Sequence, residues 1–137
     1  MAAIADLAYF DLPIQSDEGF PQAFRLAFNN ALYSIALYVN TSEADLQALP
    51  DDGFLELGVQ PPGSAPMENG FMVMRVTRET PSGPQVIFFR KLVPNLAYPA
   101  VELGFWFGQI HIAKLNINGV GAFGSQVQGH VAARWAL

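Results

Sequence analysis

The chain has 137 residues, enough for one domain with one substantial core. It is 51% hydrophobic and 14% charged, more apolar than ordinary soluble domains with their charged share of about 25%, yet no run reaches the ~18 apolar residues of a membrane-spanning helix. A net charge of −5 argues against a general nucleic-acid binder, and the lack of cysteine excludes disulfides and thiol chemistry and fits synthesis in a reducing cytoplasm.

The opening MAAIADLAYF carries no basic n-region, so it does not read as a signal peptide. Apolar alternation of period two then marks most of the chain as strands. Phe10, Leu12 and Ile14 alternate with Asp11 and Pro13. Phe24, Leu26 and Phe28 form a second run and Tyr33, Ile35, Leu37 and Val39 a third. Asn29-Asn30 between them predicts a hairpin, because Asn tolerates the positive φ of such turns. Residues 41–49 break the alternation, and Ser42 is placed to cap a short helix with Asp45 near its start. Pro50-Asp51-Asp52-Gly53 ends that helix, a brief strand follows over Phe54–Val59, and Pro61, Pro62, Gly63 and Pro66 mark 60–70 as a loop.

Phe71–Glu79 and Gln85–Val93 predict the clearest hairpin, turned by Thr80-Pro81-Ser82-Gly83-Pro84. Phe88-Phe89 disturbs its parity, which implies a strand buried on both sides or a bulge. After a rigid connection at Pro94–Pro99, two further strands are expected over Val101–Phe107 and Gln109–Ile117. The parity change between Ile110/Ile112 and Leu115/Ile117 points to another bulge. Glycine-rich 118–129 leads to a last strand with Val131, Ala133 and Trp135. The fold class is all-β, an antiparallel β-sandwich or barrel of about eight or nine short strands with one short helix, and 1–137 reads as a single β-rich domain.

Candidate chemistry is sparse. His111 and His130 have no metal-type spacing, and Asp51-Asp52 lacks the ligand rhythm of a calcium loop. Gly119 to Gly124 spells GxGxxG, but no helix is expected after it, so a glycine loop approaching another backbone is the reading. Glu79 is expected to be a cross-strand partner for Arg78 and Lys91 rather than half of a catalytic pair with Glu102. The expectation is no enzyme, no metal and no cofactor, with a scattered hydrolase triad kept only as a remote rival.

The charges are sorted along the chain. Residues 1–68 hold ten of the twelve acids and only Arg25 as a base, whereas 69–137 hold six of the seven bases. If the halves stay apart in space, the surface is dipolar and copies can dock head to tail; if strands interleave, the charges mix within one molecule. Phe105-Trp106-Phe107 puts rings on both strand faces, with Trp106 turned away from its neighbours. The interface residues expected from these patterns are Arg75, Arg78, Arg90, Lys91, Trp106 and Phe123, with the loops 60–70 and 118–129. Met67, Met72 and Met74 are read as adaptable packing surface or core filler.

Two stretches, FRLAFNNALYSIALYVN (24–40) and FMVMRVTRETPSGPQVIFFRKLVP (71–94), resemble the baseplate plug proteins of contractile-tailed cyanophages and related tailed phages. The likeness covers about two-thirds of the chain in order and spacing, and 41–70 departs from it. What the resemblance implies is a β-rich structural virion protein at the axis of the tail tip, made in the host cytoplasm. Its expected partners are other copies of itself and the tail tube, hub or spike proteins, with neither nucleic acid nor membrane. Two alternatives stand beside it: a capsid decoration (cement) protein, and a carbohydrate-binding β-sandwich using Trp106, Tyr98 or Trp135 as a platform.

Overall fold

A computed structural model describes residues 9–28, 30–56 and 70–133. The strands are β1 (Phe10–Asp11), β2 (Gln22–Phe28), β3 (Ala31–Asn40), β4 (Phe54–Glu56), β5 (Phe71–Thr80), β6 (Gly83–Leu92), β7 (Ala97–Ala100), β8 (Leu103–Ala113) and β9 (Gln126–Ala133), with one short helix, α1 (Glu43–Ala48). They form two antiparallel sheets, one ordered β1-β9-β8-β4 with β7 also on β8, the other β2-β3-β5-β6. This is the expected all-β sandwich.

Alternation builds the core. Tyr33, Ile35 and Leu37 from β3, Met72, Met74 and Val76 from β5, and Phe88 and Leu92 from β6 point inward from the four-stranded sheet. They meet Phe105, Phe107, Ile110 and Ile112 of β8 and Val127 and Val131 of β9 in one cluster. At about 25 cal/mol per Å² of apolar surface removed from water, these side chains are the main stabilising term. Early and late strands lie side by side in both sheets, so the two halves of the chain do not separate in space.

The β2–β3 hairpin forms with Asn30 at φ 65, as its sequence requires. Ser42 caps α1 by accepting from the Asp45 amide at 3.0 Å. Elsewhere the boundaries shift. The β5–β6 turn is tighter than expected, since Gly83 and Pro84 already pair with Thr80 and Glu79. Phe88-Phe89 is not buried on both sides: Ile87 is the extra residue of a bulge, which sends Phe88 in and Phe89 out. Val101–Phe107 and Gln109–Ile117 are not two strands, because β8 runs through Gly108 as one strand with a bulge there. That bulge, between Phe107 and Ile110, resets the inward parity, and the change at Leu115 is instead a 3-10 turn over Lys114–Asn116. β1 is shorter than the run that announced it; residues 57–59 of the Phe54–Val59 strand, most of the 60–70 loop and Trp135 lie outside the described residues.

The glycine loop does approach another backbone. Gly19 adopts φ +82, and a Cβ there would fall 2.1 Å from the Gly119 carbonyl oxygen. The two segments are joined by Phe20 N–H to Asn116 O at 2.9 Å, Asn118 N–H to Phe20 O at 2.7 Å and Gly121 N–H to Asp17 O at 2.8 Å. Buried Asn116 donates to the Gly119 and Gly121 carbonyls and accepts from Ser125, which locks the loop from within.

Candidate assembly interface

Cross-strand register places a continuous set of side chains on the outer face of the four-stranded sheet. One row reads Ala23, Ala36, Arg75, Phe89; the next reads Tyr38, Val73, Lys91; the third reads Arg25, Ser34, Thr77, Val86. Each alternates with an inward core residue, so the face exists because β2, β3, β5 and β6 keep period two on their buried side. Phe89 is 61% exposed and Val86 56%, both on edge strand β6. A shallow groove between Tyr38, Asn40, Val73 and Phe89 lies at the end of the face where β3 leaves the sheet.

The charges on this face are Arg25, Arg75, Lys91 and one acid, Glu79, which accepts from the Ser34 hydroxyl at 2.9 Å. Arg75 lies over the Tyr38 ring at 5.7 Å and Lys91 over Phe71 at 5.0 Å. These contacts hold the stems flat along the sheet and leave a surface that is both basic and aromatic.

The interface residues read from sequence scatter on this frame. Arg75 and Lys91 sit on the face, whereas Arg90, opposite buried Met74, is on the other side of edge strand β6, its guanidinium 5.4 Å from the Tyr98 ring centroid. Arg78 points inward. Its guanidinium forms an ion pair with Glu102, Nε donating to Oε2 at 2.6 Å and Nη2 to Oε1, while Tyr33 donates its hydroxyl to Glu102 at 2.8 Å. Glu102 is buried, and the Arg78 hydrogen bonds hold its carboxyl below the usual carboxylate range. Burial, reinforced by Glu102, pushes the Tyr33 hydroxyl up to about 12. Arg78 is thus bound up inside the molecule, and Glu79 faces Pro84 and bonds Ser34 rather than pairing with Lys91.

Trp106 lies on the opposite outer face, in register with His130 and, across it, Asp11. His130 Nδ1 is 2.9 Å from Asp11 Oδ1, and its ring is 5.2 Å from the indole. Phe123 lies in the glycine loop, its ring against Gly121 and partly exposed. Tyr98 is buried and its hydroxyl accepts from the Val93 amide at 2.8 Å, so it offers no sugar platform. His111 stacks on Phe54 at 4.2 Å.

Sequence reasoning passes over Tyr38, Val73, Val86, Phe89 and Arg25. Their signal is the register of the two hairpins, legible for β2–β3 but hidden by the Ile87 bulge for β6. Comparison of the chain with protein families, with curated proteins and with solved structures returns no match.

Proposed function

We propose that the chain is a structural part of a larger assembly and works by docking the outer face of its four-stranded sheet onto neighbours. The tail baseplate of a contractile phage, where the resemblance implies a plug at the tube axis, is the assembly we infer. One observation carries the reading: Phe89 and Val86 stand exposed on the same face as Tyr38 and Val73, with Arg25, Arg75 and Lys91 among them. Aromatic side chains and Arg are the residue types that anchor protein interfaces, and a contiguous apolar patch in water favours a partner. A specific contact buries about 1,200–2,000 Å² in total.

The test is incorporation. Particles from an infected host, separated into heads and tails, are expected to carry the chain in tails, and the double variant Phe89→Asp/Arg75→Glu is expected to stay in the soluble fraction. Presence in heads alone would favour the capsid-decoration alternative; absence from both removes the reading.

A second reading, sugar binding, has its own observation. Gly108 leaves room for the Trp106 ring, whose nearest atom would lie 3.3 Å from a Cβ there, beside His130 and Gln128. Glycan-array binding lost in Trp106→Ala would support it, and an array without hits removes it.

A further inference from the structure

We infer that the partner of the basic aromatic face is a second copy of this chain, which presents its acidic segment Glu43–Asp52. This rests on the assembly reading above and names the partner. Between residues 43 and 52 the chain carries Glu43, Asp45, Asp51 and Asp52 and no base. All four are exposed, because α1 turns Leu46 and Leu49 toward the core and its charged side to solvent. Lys114 stands 3.9 Å from Asp51, which offsets part of one charge and leaves three.

The two surfaces are opposite in sign. Arg25 and Arg75 are two strands and two residues apart, about 12 Å at ordinary sheet spacings. Glu43 and Asp45 lie in the first turn of α1, and Asp51 and Asp52 follow its end in the turn after Pro50. Ala44 and Ala48 are exposed on the same helix, and small side chains there let the Phe89 and Tyr38 rings approach the helix backbone.

A two-fold pairing of face on face would set Arg25 and Arg75 against their own copies, so it is disfavoured. Face on acidic segment is heterologous: each copy uses both surfaces once, and the chain of contacts closes into a ring or continues. The face measures roughly 25 by 19 Å, so one contact buries at most about 1,000 Å² in total, the size of a weak, transient interface. A single contact is therefore weak and sensitive to salt.

Sedimentation velocity on the full chain tests this. The wild type is expected to sediment above its 14.9 kDa monomer at low salt in a concentration-dependent way, and as a monomer in about 0.5 M salt. Arg25→Glu/Arg75→Glu and Glu43→Lys/Asp45→Lys/Asp52→Lys are each expected to stay monomeric, with apparent Kd raised at least about 10-fold. Their equimolar mixture is expected to associate, because each variant then offers charges opposite to the other's. Circular dichroism confirms that both variants are folded. A wild type that stays monomeric at about 1 mM in low salt overturns the inference, as does association unchanged in both variants or a mixture that remains monomeric. If the wild type is monomeric yet still enters tails, the second copy is refuted as partner while the assembly reading stands.

Discussion

Two residues hold the sandwich together at its least obvious point. Glu102 sits in the two-residue turn between β7 and β8 and reaches across to Arg78 and Tyr33 of the other sheet. Removing Arg78 leaves a buried carboxylate without its partner. Arg78→Ala is expected to cost about 2–4 kcal/mol, below the fully buried range because the guanidinium keeps some solvent contact, and to lower Tm by roughly 10 °C in a thermal melt. The same contacts set a pH dependence with a definite sign. The folded carboxyl of Glu102 is depressed, so its contribution is present above the ordinary carboxylate range and is lost as pH falls through the lower folded value. Tyr33 is raised, so its contribution is complete below its unfolded value of about 10 and fades as pH climbs toward about 12. Urea titrations across pH should show stability falling at both ends, with the acid limb flattened in Glu102→Gln. The neighbouring Val101 adopts φ 56, a left-handed conformation that a β-branched residue resists. Val101→Asn is expected to stabilise the fold by about 1 kcal/mol, measured as an upward shift of the urea midpoint.

At the scale of elements, a cap and two bulges decide the layout. Ser42→Ala removes the acceptor for the Asp45 amide and is expected to cost about 1 kcal/mol of stability. Because α1 carries two of the acids at the inferred self-contact, the substitution should also weaken association more than a surface change outside this segment. The cap, the Asn30 hairpin and the inward faces of β3 and β5 are legible in the sequence because each is local: a named residue type at a fixed offset, or strict alternation. The bulge at Ile87 is legible only as one of two readings of Phe88-Phe89, and the one at Gly108 is misplaced toward Leu115, since an extra residue is fixed only against the partner strand. Each flips the parity of the residues beyond it. That is why Phe89 does not read as part of an exposed face and why one long strand reads as two. Arg78 misleads for a related reason: a charged residue beside Glu79 looks like surface until Glu102, far along the chain, is brought beneath it by the fold.

For the whole molecule, interleaved strands answer the question the charge sorting raised. The sheets mix the halves, yet Arg25, Arg75 and Lys91 still gather on one face and the acids of 43–52 on another segment. Polarity survives as patches rather than as hemispheres. That arrangement suits an element repeated around an axis, where each copy both covers and is covered. The central claim is that the outer face of the four-stranded sheet is covered in the working particle. Photo-crosslinking from a reactive amino acid at position 89, in particles assembled in the host, tests it most directly. The expected result is a crosslink to another copy or to a tail protein, lost when Arg75→Glu is added. Position 89 left uncrosslinked in intact particles that contain the chain would contradict the account.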